Sequence, residues 1–322
     1  MQHFRSIHDV PDLPALLEKA LTYKRLPRHH HGLGVGKTLG LVFLNPSTRT
    51  RISSQIAARN LGMEVVVFNA DKDGWSLEFG EDVVMNGTSV EHIREAAPVL
   101  GAYFDVLALR SFPALVSKQE DESEYILEQF VRYSGVPVIS LESATLHPLQ
   151  SFSDVLTIKE LFAEKRRPRI ALTWAPHIKP LPHCVANSFA QWVNTWGEAD
   201  LIIAQPKDYE LDEKYTAGAT ITNDQDEALE GADFVYVKNW SATQPYGTVQ
   251  CSDANWMLTL DKLQATNQAK IMHCLPVRRN LELSAEVLDS GSSIVVQQAA
   301  NRVWAAQAVL ASLLYRRVYT PP

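Results

Sequence analysis

Short apolar runs rich in Val, Ile and Leu, separated by longer segments of helical period, set the tightest limit on what this chain can become. The runs are TLGLVFL (38–44), EVVVFN (64–69), DVLALR (105–110), VPVIS (136–140), RIALTW (169–174), ADLIIA (199–204), ADFVYV (232–237), AKIMH (269–273) and SSIVV (292–296). A strand covered on both faces reads as a nearly continuous apolar run, and the helices between such runs supply the crossovers of a parallel sheet. Helices are expected after STRT, SVEH, EDES, QSFS and PHCVANS. The pattern predicts an α/β chain with two doubly wound domains, their parallel sheets joined by bridging helices.

A length of 322 residues suits two domains with separate cores. The basic stretch AEKRRPR (163–169) breaks the alternation near the middle, which makes LHPLQSFSDVLTIKELF (146–162) the bridging helix. The expected division is 1–150 and 151–300, with 301–322 as a C-terminal helix packing back on the first domain. That helix is placed from about Asn301 to Arg316, with Val303, Ala306, Val309, Leu310 and Leu313 as its apolar face. The acidic KQEDESEYILEQF (118–130) is expected to be a solvated helix face.

The net charge of −7 argues against a nucleic-acid partner, because a phosphate backbone calls for a basic face. No apolar run approaches the 18 residues of a membrane span, and MQHFRSIHDV lacks the layout of a signal peptide. Cys184, Cys251 and Cys274 form no CxxC pair, as expected of a reduced cytoplasmic protein. GLGVGKT (32–38) has His31 where a P-loop needs its first glycine, and it precedes its strand instead of following one. HHH (29–31) is read as an exposed loop, and no metal-ligand spacing is found elsewhere.

In open α/β sheets, ligands bind beyond the carboxyl ends of the strands. After TLGLVFL comes Asn45-Pro46-Ser47-Thr48-Arg49-Thr50-Arg51; after DVLAL comes Arg110; after VPVIS come Glu142, His147 and Gln150. In the second half His177 follows RIALTW, Lys238 follows ADFVYV, and His273, Cys274, Leu275 and Arg278 follow AKIM. Arg302 comes after SSIVV. Reactive residues so concentrated at strand ends predict a single cleft.

NPSTRTR suits an anion. Ser47 is a good N-cap, and Thr48 to Thr50 would then offer backbone N–H groups at a helix N-terminus, where the dipole also favours negative charge. Arg49 adds a planar fork for phosphate and Arg110 a second. His147, Gln150 and the carbonyl-rich HCLP turn suit a small amide-like group carrying both C=O and NH₂. They show neither the order of a hydrolase triad nor the spacing of a metal site.

STRTR, HPLQ, HCLP and a late NR, in this order, resemble the aspartate/ornithine carbamoyltransferase family over essentially the whole chain. The resemblance implies two α/β domains, no cofactor or metal, and a homotrimer with active sites shared between subunits. It implies that Ser47, Thr48, Arg49, Thr50 and Arg110 hold the phosphate of carbamoyl phosphate. His147, Thr50 and Arg302 would polarise the carbamoyl oxygen, while Gln150 and the carbonyls around Cys274 and Leu275 would take the carbamoyl NH₂. Trp75, in DKDGW, resembles the residue that reaches a neighbouring subunit's site.

The Asp-x-x-x-Ser-Met-Gly loop of ordinary ornithine enzymes is missing. WAPHIKPLP (174–182), VKNW (237–240) and HCLPVRRN (273–280) resemble instead the branch acting on acylated ornithine, in which Glu142, His177, Lys238 and Arg278 contact the acceptor. Acetylornithine enzymes have an acidic residue where this chain has Val90, and an Asn where it has Pro182. A glutamate would repel the carboxylate that ends a succinyl group. The resemblance therefore implies transfer of the carbamoyl group to the side-chain amine of N-succinyl-L-ornithine, in arginine biosynthesis. N-acetyl-L-ornithine is the alternative acceptor, and a non-catalytic anion-binding relative the second alternative.

Overall fold

A computed structural model describes residues 1–70, 74 and 76–319, and the chain divides into two compact units. Unit 1 comprises 1–113, 120–149 and the C-terminal segment from 302; unit 2 comprises 114–119 and 150–301.

In unit 1, helix α1 (Leu13–Arg25) leads to strand β1 (Thr38–Phe43), helix α2 (Thr48–Asn60) and strand β2 (Glu64–Asn69). Two-residue strands β3 (Leu77–Glu78) and β4 (Glu91–His92) precede α3 (Ile93–Tyr103) and β5 (Val106–Arg110). Helices α4 (Lys118–Glu122) and α5 (Tyr125–Tyr133) and strand β6 (Val138–Glu142) follow. The four long strands form one parallel sheet in the order β2-β1-β5-β6. Every residue of β5 and β6 is buried, as expected for strands covered on both faces, with the charged Arg110 and Glu142 at their ends. Ile93 and Ala97 of α3 and Leu127 and Phe130 of α5, at helical spacing, close the core over Leu107, Leu109 and Val138.

Unit 2 receives the chain within α6 (Pro148–Leu161) and continues through β7 (Arg169–Trp174), α7 (Cys184–Trp196) and β8 (Asp200–Ala204). Next come α8 (Glu213–Thr216), β9 (Thr220–Thr222), α9 (Gln225–Leu229), β10 (Phe234–Lys238), α10 (Leu260–Leu263), β11 (Lys270–Met272) and α11 (Ala285–Asp289). Its sheet is parallel throughout, in the order β11-β10-β7-β8-β9. Helix α12 (Val295–Tyr319) begins in unit 2 and ends in unit 1.

Three expectations are corrected. SSIVV is not a strand. Ile271 takes Ile294 N–H and donates to Ser292 O, and α12 then starts at Val295, well before Asn301. A five-residue apolar run fits a buried helix start as well as a strand, and periodicity does not separate them. The acidic stretch is not one solvated face: α4 and α5 are separated at Glu124, which has φ +52, and Asp121 is buried. Strand β9 escaped notice because TIT carries a single apolar residue at the sheet edge.

Among the described residues no helix is long and apolar enough to cross a membrane. Cys184, Cys251 and Cys274 form no disulfide bond. Lys37 of GLGVGKT pairs with Asp105 at 3.0 Å, and His30 of HHH bonds the Tyr23 hydroxyl at 2.8 Å. No described group of three His, Cys, Asp or Glu side chains could hold a metal ion.

Candidate active site

In unit 1 the carboxyl ends of β1, β5 and β6 carry the polar groups. Ser47 is the N-cap of α2, in extended conformation, and its hydroxyl makes no bond to the helix N–H groups. Thr48 is exposed, Arg49 half-buried and Thr50 buried. The pairing of β5 with β6 slips at Leu109/Arg110, so that Arg110 stands opposite Glu142 instead of the preceding Leu141. Such irregularities at strand ends redirect side chains. Arg110 and Glu142 are both buried and form an ion pair through Nη1 and Oε2. The same Glu142 oxygen lies 3.4 Å from His147 Nε2.

Arg302 is not in a strand-end loop. It lies on α12, buried, and its Nη2 donates to Thr50 Oγ1 at 2.6 Å. The bond joins the first turns of α2 to a residue 252 positions away. His147 is buried beside Arg302, Arg110 and Arg49. Burial first, and then those three cations, hold its imidazole well below the ordinary histidine range. The ring is therefore neutral near pH 7 and offers one N–H donor. Among the described residues, His147 Nδ1 and Arg110 Nε are buried without a hydrogen-bond partner.

The loop leading to His147 is fastened from below by Glu124. Its carboxylate accepts from Ser143 Oγ (2.6 Å), Thr145 N (2.7 Å), Thr145 Oγ1 (2.5 Å) and Ala144 N (3.2 Å). This explains why an acidic residue in a charged run is turned inward: it satisfies donors that would otherwise be buried unpaired.

Unit 2 holds a buried polar chain. Gln150 and Asp154 lie one turn apart on α6, and Gln150 Nε2 donates to Asp154 Oδ1 at 2.7 Å. Gln298 Nε2 donates to the same oxygen at 2.7 Å, and Gln298 Oε1 accepts His273 N–H at 2.9 Å. Tyr236 lies near Asp154 and Cys274; burial first, then these neighbours, push its phenol well above the ordinary range.

The HCLPVRRN turn is braced from within. Leu275 N–H donates to His273 Nδ1 at 2.8 Å, so the ring proton sits on Nε2, which lies 3.2 Å from Glu282 Oε1. Glu282 Oε2 accepts Arg278 N–H at 2.8 Å. Burial pushes the Glu282 carboxyl up, but the His273 hydrogen bond, with Lys238 and the Arg278 N–H, outweighs it and leaves it below the usual range. Leu275 takes φ +57 and its bond to Pro276 is cis.

Lys238 is buried and donates to Asn239 O at 2.8 Å. Arg278 Nε donates to His177 Nε2 at 3.1 Å, which leaves Nδ1 of that ring to donate to Lys179 O at 2.9 Å. Pro182 is half-buried in the loop before α7, and Val90 is 63% exposed just before β4. Trp75 lies outside the described residues.

The structure thus brings together Thr50, Arg110, Glu142, His147 and Arg302 in unit 1. In unit 2 it joins His177 to Arg278. Glu124, Asp154, Glu282 and Gln298 were missed by sequence reasoning. Only Asp154 left a local signal, four residues after Gln150 on a helix, where side chains meet.

Comparison with known proteins matches residues 2–160 to the carbamoyl-P binding domain of aspartate/ornithine carbamoyltransferase and 183–313 to its Asp/Orn binding domain. An N-succinylornithine carbamoyltransferase of Bacteroides fragilis is 44% identical over 316 residues, covering 98% of this chain and 99% of that protein. An N-acetylornithine carbamoyltransferase of Xanthomonas campestris is 36% identical over 338 residues, covering 98% of each. Among solved structures, a Glu-to-Val variant of N-acetyl-L-ornithine transcarbamylase, complexed with carbamyl phosphate and N-succinyl-L-norvaline, is 36% identical. It superposes with a TM-score of 0.90 and covers 97% of this chain and 100% of its own.

Proposed function

This chain belongs to the aspartate/ornithine carbamoyltransferase family, and on that premise we propose that it carbamoylates the side-chain amine of N-succinyl-L-ornithine. The products are N-succinyl-L-citrulline and phosphate, as a step of arginine biosynthesis. One observation carries the chemistry: a neutral, buried His147 ringed by Arg49, Arg110 and Arg302, with Arg302 fixed to Thr50. That set supplies cations for a phosphate and neutral or charged donors for a carbonyl oxygen.

The phosphate of carbamoyl phosphate is held by the first turn of α2, with Ser47, Thr48, Arg49 and Thr50, and by Arg110. His147, Arg302 and Thr50 donate to the carbamoyl oxygen. Gln150 and the carbonyls of Cys274 and Leu275 take the carbamoyl NH₂. The neutral amine attacks the carbamoyl carbon, a C–N bond forms, and negative charge gathers on the oxygen facing the donors. Each such donor lowers the barrier by about 3–4 kcal/mol where this has been tested by removal. The C–O bond to phosphate then breaks, and the departing phosphate accepts the amine's proton. No cofactor or metal enters this scheme.

Glu142, His177, Lys238 and Arg278 contact the acceptor, with Val90 and Pro182 beside its acyl group. The succinyl choice is supported by two points. Val90 adds no negative charge near a ligand carboxylate, and a Glu-to-Val variant of an acetyl enzyme was solved with a succinylated amino acid. We further propose a cytoplasmic homotrimer; light scattering of the purified protein tests the assembly.

The deciding experiment supplies carbamoyl phosphate with N-succinylornithine, N-acetylornithine, ornithine or aspartate and measures citrulline-type product. Turnover is expected to be fastest with the succinyl acceptor. Faster turnover of N-acetylornithine overturns that choice, and no turnover with any acceptor supports a non-catalytic anion binder.

A further inference from the structure

Gln150 is given the task of accepting the carbamoyl NH₂, yet a glutamine amide presents an oxygen or an NH₂ with equal ease. Something must choose. The choice can be traced from an unambiguous donor. The backbone N–H of His273 can only donate, so the Gln298 atom 2.9 Å away is its oxygen. Gln298 therefore turns its NH₂ to Asp154 Oδ1, 2.7 Å away. A carboxylate oxygen receiving that donor accepts a second from Gln150 at 2.7 Å, and an oxygen-to-oxygen contact there would be repulsive. Gln150 is left with Oε1 pointing away from the chain of bonds. That atom is buried and has no hydrogen-bond partner among the described residues. Asp154, Gln298 and Gln150 are each 0–1% exposed, so water does not compete for these bonds.

We propose that Asp154 is a positioning residue for the transfer reaction: by holding the Gln150 NH₂ it locks Gln150 Oε1 as a bare acceptor for the donor substrate's NH₂. The inference rests on the assignment of Gln150 under the proposed function. Asp154 touches no reacting atom; it acts through Gln150, and Gln298 relays the orientation from the backbone of the HCLP turn. A bare buried acceptor favours a ligand with an N–H at that point and disfavours an isostere without one, because the latter leaves the oxygen unpaired.

The test compares carbamoyl phosphate with acetyl phosphate, which has a methyl group in place of NH₂, and with inorganic phosphate. KM for carbamoyl phosphate and inhibition constants for the other two are measured for the native enzyme, Gln150→Ala, Asp154→Leu and the double variant. Each single change is expected to cut the preference for carbamoyl over acetyl phosphate by about tenfold, the loss of one hydrogen bond to a buried acceptor. Phosphate inhibition should stay within about twofold, since phosphate makes no use of that acceptor. The double variant should be no worse than the more severe single one, and Asp154→Asn, which keeps an acceptor oxygen, should restore most of the preference. Additive losses, or phosphate binding weakened as much as carbamoyl phosphate binding, overturn the positioning role. An unchanged preference in Gln150→Ala overturns the Gln150 assignment itself. If Asp154→Leu does not fold, Asp154→Ala, which introduces no apolar bulk, takes its place in the same cycle.

Discussion

Arg110 and Glu142 form a buried ion pair at the ends of adjacent strands, brought opposite one another by a register slip between β5 and β6. The pair joins a residue assigned to the phosphate with one assigned to the acceptor. The Glu142 carboxylate thus neutralises a guanidinium that a phosphate must also use. Glu142→Gln removes the competing charge, and inhibition by inorganic phosphate is expected to tighten about three- to tenfold, while turnover falls because an acceptor contact is lost. Looser phosphate binding in this variant would contradict the assignment of Arg110.

Arg49→Ala should abolish measurable carbamoyl phosphate binding, since a planar bidentate donor at the start of α2 is lost. Lys at this position should recover only a small part. Isothermal titration with inorganic phosphate checks this, and an unchanged affinity removes the phosphate assignment from α2.

Arg302→Met takes away the donor proposed for the carbamoyl oxygen and leaves Thr50 Oγ1 without the guanidinium at 2.6 Å. Turnover should fall by about 10²–10³ with KM for carbamoyl phosphate changed much less, as for other oxyanion donors. Steady-state kinetics decide; a loss confined to KM would assign Arg302 to ground-state binding.

His147 stays neutral in the folded protein because burial and then Arg302, Arg110 and Arg49 oppose its charge. The unfolded chain takes up that proton near the ordinary histidine value of about 6.5. Below this pH the unfolded state binds more protons, so this contribution to stability is complete above about pH 6.5 and declines as the pH falls. Histidine-labelled NMR should show a His147 ring that does not titrate between about pH 7 and 6. The stability difference between native protein and His147→Gln should shrink over the acid side of that range.

Glu282→Leu strips the His273 Nε2–H and the Arg278 N–H of their acceptor inside the HCLPVRRN turn. The buried His273 donor left unpaired costs about 1–3 kcal/mol, and the part-buried Arg278 N–H adds less. Denaturant unfolding should register about 2 kcal/mol of lost stability, and KM for the acceptor should rise. The depressed Glu282 carboxyl adds an acid limit: its contribution is present above the ordinary glutamate range and is lost as the pH falls through its lower folded value.

The buried strands were legible in the chain because a parallel sheet covered on both faces demands near-continuous apolar residues, as in VLALR and RIALTW; EVVVFN shows the same run but forms an edge strand with no buried residue. The first turn of α2 was legible for a similar reason, since Ser47 and the residues after it suit an N-terminus. SSIVV was not, because a short apolar run obeys no period that separates strand from helix. Glu124 was misread in a charged run whose solvation depends on donors that lie 19 to 21 residues further along the chain.

The amino-acid sequence by itself determined the α/β architecture, the helix N-terminus at α2 proposed for the phosphate and the supply of reactive residues at strand ends. These follow from local periodicity and side-chain chemistry, which act over a few residues. Only the tertiary structure decided the pairings that give those residues their states: Arg110 with Glu142, Arg302 with Thr50, Asp154 with Gln298, and His147 among three arginines. Those depend on strand register and on contacts between residues up to 252 positions apart, in surroundings dry enough for one neighbour to settle an amide's orientation or an imidazole's charge.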